Sequence, residues 1–144
     1  MTYSGRPAPD TDAAQLLLDN NAKARALFFA EWPCLTSMQI SEAAVHGSKN
    51  PSMATSRWKS GGKIFSVEHK GMEFFPAFQF QDGQPHETIG RVLSVLGKRK
   101  TGWQMAFWLT SPNGWLDGKR PAECLNDVDA VVGAAAEEAQ TIVG

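Results

Sequence analysis

Apolar positions recur with helical spacing in several stretches of this 144-residue chain, and with strand-like spacing in one. Leu16, Leu17, Ala24, Leu27 and Phe28 share a face between Asp10 and Glu31, with Asp19, Lys23 and Arg25 elsewhere around the wheel. This predicts an amphipathic helix with one buried stripe, capped by Asp10-Thr11-Asp12 and stopped by Trp32-Pro33. Thr36-Ser37-Met38-Gln39 fits a capping box, in which Thr36 caps and Gln39 reaches back, so a short helix carrying Met38, Ile40, Ala43 and Ala44 should end before Gly47. Asn50-Pro51 opens a third helix and Gly61-Gly62 closes it. Ile64-Phe65-Ser66-Val67 and Met72-Glu73-Phe74-Phe75 are β-prone runs flanking Glu68-His69-Lys70-Gly71, a hairpin pattern. After a turn at Asp82-Gly83-Gln84-Pro85, a helix from His86 to Leu96 places Ile89, Val92, Leu93 and Leu96 on one side. Lys98-Arg99-Lys100 connects it to a helix from Trp103 to Leu109. A last helix, from about Asp127, lines up Val128, Val131, Val132, Ala135 and Ala139; its small side chains suggest that it is weakly held.

The pattern therefore predicts a mainly α protein with a small β-hairpin. Residues 1–9, rich in Pro and Gly, read as a disordered tail; residues 10–81 as a winged helix-turn-helix-like lobe; residues 82–144 as a second, helical lobe. In the third helix Ala54 and Trp58 lie one turn apart and should pack inward. That leaves Ser52, Thr55, Ser56 and Lys59 outward and Arg57 at the flank, a polar face suited to phosphates and base edges. Lys63 and Lys70 belong to the wing, where they could touch a DNA backbone. The charge distribution favours the same region. The whole chain has 14 basic and 15 acidic residues, yet residues 46–70 hold five lysines and arginines against Glu68 alone. Such a cluster is what a phosphate-contacting surface requires, although an ordinary solvated face could carry it too.

The segment from Trp108 to Leu125 is dense in turn formers. Pro112-Asn113-Gly114 ends the preceding helix, Asp117-Gly118 makes a second turn, and Pro121 suits the first position of a new helix. Trp108, Leu109, Trp115, Leu116 and Leu125 are spaced to share one small core around this corner, although Trp115, beside Asn113, Gly114 and Asp117, could equally stay exposed as a binding anchor.

Trp108-Leu109, Pro112-Asn113, Leu116, Gly118, Pro121 and Leu125, following an apolar helix, resemble the C-terminal toxin-binding domain of the Xre/MbcA/ParS antitoxins. The wing with Phe75-Pro76-Ala77-Phe78-Gln79-Phe80 more loosely resembles an N-terminal module of some bacterial members. The resemblance implies a protein that neutralises a RES-type, NAD-degrading toxin and autoregulates its operon. Its implied partners are that toxin, held through Asn113, Gly114, Trp115 and Asp117, and operator DNA. A homo-oligomer is expected, and no membrane partner. The alternative is a stand-alone transcriptional regulator or adaptor whose C-terminal lobe serves dimerisation or docking.

Enzyme signatures are weak. Ser56-Arg57-Trp58-Lys59, Ser111-Pro112-Asn113 and Lys100-Thr101-Gly102 match the S-x-x-K, S-x-N and K-T-G elements of serine β-lactamases, but in the wrong order and in too short a chain. No P-loop, G-x-G-x-x-G or G-x-S-x-G occurs. His46, His69 and His86 have no metal-ligand spacing, so neither a metal nor another cofactor is expected, nor any catalytic residue. Cys34 and Cys124 read as reduced thiols. Without an apolar leader or a run near the roughly 20 residues of a membrane span, a cytoplasmic location is expected.

Overall fold

The computed structural model describes residues 9–44 and 51–143, with side chains for residues 20–42 and 54–141. The chain divides into two compact units, Met1–Pro33 and Cys34–Gly144. The first is a single helix, α1 (Pro9–Glu31), so Pro9 is helical; the rest of the expected tail lies outside the described residues. The Trp32 N–H donates to Phe28 O at 2.8 Å before Pro33 ends the helix. Leu27, assigned above to the buried stripe, is 67% exposed, and the Leu16 and Leu17 side chains lie outside the described residues.

The second unit opens with β1 (Cys34–Leu35), then α2 (Ser37–Ala44), α3 (Pro51–Ser60), β2 (Val67–His69) and β3 (Met72–Pro76). The capping box before α2 forms as the sequence predicts: Thr36 N donates to Gln39 Oε1 at 2.8 Å and Gln39 N to Thr36 Oγ1 at 3.2 Å. The expected stops and starts at Gly47 and Asn50 lie outside the described residues. β2 and β3 are antiparallel with Val67 opposite Phe74, and β3 pairs again with β1, giving the order β1-β3-β2. Their turn is Lys70-Gly71, with φ of 53° and 79°. Two residues at positive φ match the twist of the strands, and Gly71 takes its place without a Cβ penalty. Ile64 and Phe65 are not strand. They are buried in the segment leading into β2, and Ile64 joins Ile40 and Phe75 in a core against which Leu35, Trp58 and Phe80 pack. A strand, two packed helices and a hairpin that pairs back to the first strand make a winged helix-turn-helix arrangement.

A second hairpin, β4 (Phe80–Gln81) and β5 (Gln84–Pro85), turns at Asp82-Gly83 and leads to α4 (Glu87–Leu96). This turn, where the sequence reading placed a lobe boundary, lies inside the second compact unit. α5 (Gly102–Thr110) and α6 (Val128–Val143) complete the chain. α6 packs on α4, where Ile89, Val92 and Leu96 of one helix and Val131, Ala134 and Ala135 of the other are buried. It is also held from outside the core: Lys100 Nζ lies 2.8 Å from Glu138 Oε2, and Arg99 donates to Ala139 O at 3.1 Å. These two bonds add to the small burial that its alanines contribute.

α5 ties the helical half to the wing. A Cβ on Gly102 would lie 2.0 Å from Ser66 O, so only glycine allows this approach. At the very next residue, Trp103 Nε1 donates to Glu68 O at 2.8 Å. The mainly α fold with a small antiparallel hairpin thus stands as the apolar pattern predicted, and no helix among the described residues is long and apolar enough to cross a membrane.

Candidate nucleic-acid interface

α3 and the β2-β3 wing carry the residues assigned to DNA, and the structure sorts them. Ser56 and Arg57 are exposed on α3, Lys63 follows its C-terminal turn, and Lys70 stands at the wing tip. Among the described residues Arg57, Lys63 and Lys70 have no carboxylate partner, so their charge remains available to an anion. The Ser52 side chain lies outside those described.

Thr55 does not face outward. It is 3% exposed and its Oγ1 has no hydrogen-bond partner, so it turns inward and not toward solvent. The helical wheel misplaced it because α3 buries two flanks: Trp58 goes into the Ile40–Phe75 core, while Thr55 lines the groove between α2, α3 and β3. Lys59 is exposed as expected but is engaged. Its ammonium pairs with Glu73 of β3, which also accepts from Ser66 Oγ at 2.7 Å. Burial alone would raise the Glu73 carboxyl, but the hydrogen bonds from Lys59 and Ser66 and the lysine's charge outweigh it. They hold the group below the usual glutamate range. Glu68 sits directly opposite Glu73 in the hairpin, an unfavourable like-charge register that Lys59 offsets. Lys59 therefore fixes the end of α3 to the wing.

Gln79 carries out a second fixation that the sequence did not announce. Its side chain is fully buried, accepts from Phe65 N and donates to Phe65 O, both at 2.9 Å. It replaces a neighbouring strand for the segment between α3 and β2. A glutamine set in the apolar run Phe78-Gln79-Phe80 was the available signal.

The corner after α5 is closed on itself. Ser111 is extended, as a residue before proline should be, and two 3-10 turns follow at Gly114–Leu116 and Pro121–Glu123. Pro121 thus opens a single 3-10 turn, and the next α-helix waits until Val128. Asn113 Oδ1 accepts from Trp115 N at 2.8 Å, while Asn113 N donates to Lys119 O and Asn113 O accepts from Leu116 and Gly118. Its backbone N–H, backbone carbonyl and Oδ1 are thus spent inside the loop, so Asn113 shapes the turn that the sequence analysis marked for a partner. Leu109, Leu116 and Leu125 are buried around it, and Trp108 is half-buried. Trp115 is 68% exposed on this turn, beside exposed Gly114 and Asp117, the latter left-handed at φ 57°.

Elsewhere, His86 accepts from Thr88 N at 3.2 Å to cap α4 and meets Asn126 Oδ1 at 3.1 Å. Cys34 and Cys124 form no disulfide and are half-buried, and burial pushes the Cys34 thiol up to about 11. At that value it stays protonated and is a poor nucleophile.

The class defined by these elements is a winged helix-turn-helix fold with a helical C-terminal extension. No protein-family model and no curated protein matches the chain. The NMR structure of Rv2175c, from M. tuberculosis, is similar to it, with a TM-score of 0.63 and 20% identity over 75% of this chain and 82% of that one. At that identity the likeness is one of fold.

Proposed function

We propose that this protein is a DNA-binding regulator that reads duplex DNA with α3 and braces on the phosphate backbone with its wing. The observation carrying this reading is the pairing of α3 to the hairpin through Lys59 and Glu73, beside Arg57, Lys63 and Lys70 that have no carboxylate partner. Helix and wing then act as one rigid surface, with Ser56 and Arg57 presented to a groove and Lys70 to a phosphate. The test is a gel shift with randomised duplexes at two salt concentrations. Wild type should bind more weakly as salt rises, and Arg57→Ala combined with Lys70→Ala should lower affinity without changing the melting temperature. Equal affinity of the double variant and wild type sinks the assignment.

The finer reading is that of an antitoxin neutralising a RES-type toxin and repressing its own operon. What favours it is Trp115, an exposed indole on a loop closed by Asn113, at the centre of the antitoxin-like motif. An aromatic held rigidly in water has little ordering entropy left to lose on binding. Trp115→Ala should abolish co-purification of a co-expressed toxin and spare both DNA binding and thermal stability. If no toxin co-purifies with wild type either, the stand-alone regulator or adaptor replaces the antitoxin.

A further inference from the structure

Between the end of α3, the segment before β2, and the helices α4 and α5 lies a cleft of about 640 Å³. That is within the range of about 300–1,000 Å³ typical of small-molecule sites. Its walls are unusual in charge: Lys59, Lys98 and Lys100 line it, and no aspartate or glutamate does. The carboxylates that hold Lys59 and Lys100, Glu73 and Glu138, stand outside the lining and fix the two side chains in place. Lys98 is exposed and has no partner among the described residues. Thr101 also lines the cleft, and its Oγ1 accepts from Gln104 N at 3.2 Å. The floor is apolar, formed by Ile64, Phe65 and Met105, all buried. Gly90 lines the α4 side, where a Cβ would lie 3.9 Å from the Gly62 and Lys63 backbone.

We infer that this cleft binds a phosphorylated small molecule of mononucleotide size, with the phosphates among the three lysines and an apolar or aromatic group against Ile64 and Met105. Lysines supply charge to phosphate without demanding bidentate geometry, and an apolar floor beneath them selects a ligand with one charged and one uncharged end. Because Lys59 also braces the wing, a bound phosphate competes with Glu73 for it. The site itself does not depend on DNA binding.

The test is isothermal titration of the full chain with inorganic pyrophosphate, ATP and adenosine. Pyrophosphate and ATP should bind saturably, ATP more tightly, and adenosine should not bind over the same concentrations. Lys98→Glu, a surface change, should weaken both phosphorylated probes by about tenfold or more, the effect of losing one charge-assisted contact. Ser94→Trp fills the cleft from its rim while leaving all three lysines in the chain, and should remove ATP binding; if that variant does not fold, Lys98→Glu decides. No saturable binding of either phosphorylated probe overturns the proposal, as does binding that both variants leave unchanged. A Lys98→Glu variant that loses affinity for a short DNA duplex while pyrophosphate binding stays intact also overturns it, since the cleft would then serve DNA phosphates.

Discussion

Replacing Gln79 by leucine tests the most consequential bond pair in the winged half. The two side chains are close in volume, so the change leaves little cavity and isolates the polar effect. It strands the Phe65 N–H and C=O in a site where Phe65 itself is 6% exposed and Gln79 fully buried. An unsatisfied buried backbone group costs roughly 1–3 kcal/mol, and two are created; removing the buried amide returns part of this, leaving a net loss of about 2–4 kcal/mol. Against a total stability of about 5–15 kcal/mol for a domain this is a large fraction. Urea unfolding followed by tryptophan fluorescence should show the midpoint falling with an unchanged slope. Gln79→Glu, which keeps the acceptor but loses the donor to Phe65 O, should be no better tolerated. A loss below about 1 kcal/mol for Gln79→Leu would mean that Phe65 finds other partners, and the strand-replacement account would be wrong.

Thr55→Val should leave stability equal or raise it by up to about 1 kcal/mol, because the buried hydroxyl it removes has no partner; reduced duplex affinity in a gel shift would return Thr55 to the DNA surface. The Glu73 carboxyl sits below its usual range in the folded state, so its contribution is complete above the ordinary glutamate range and lost as pH falls through the folded value. Glu73→Gln should therefore be less stable than wild type at neutral pH and converge with it in acid, as read by denaturation at a series of pH values; a constant difference down to strongly acid pH would contradict the ion pair's role. Leu109→Ala, at a position with no exposure, should cost about 2–5 kcal/mol. Half-buried Trp108→Ala should cost less than the roughly 3–5 kcal/mol of a fully buried aromatic, and a calorimetric ranking in the opposite order would refute the burial argument.

Much of the local structure was determined by the sequence alone, because its causes are local. The Thr36 capping box, the Lys70-Gly71 turn, the stop at Gly61-Gly62 and the extended residue before Pro112 each depend on bonds or sterics within a few residues. Helical periodicity likewise found buried Ile89, Val92 and Leu96 of α4 and Val131 and Ala135 of α6, and missed Ala134. It misplaced Thr55 and Leu27 because a wheel gives the angle of a side chain and not what lies opposite it. The pairing of Lys59 with Glu73, the bonds from Gln79 to Phe65 and the indole of Trp103 on Glu68 join residues 14, 14 and 35 positions apart. No local rule links such partners; they meet only when the wing folds back against α3 and α5. Tertiary structure also decided Trp115. Composition and spacing allowed the ring to be buried or exposed, and with the corner closed around Asn113 it is left 68% exposed.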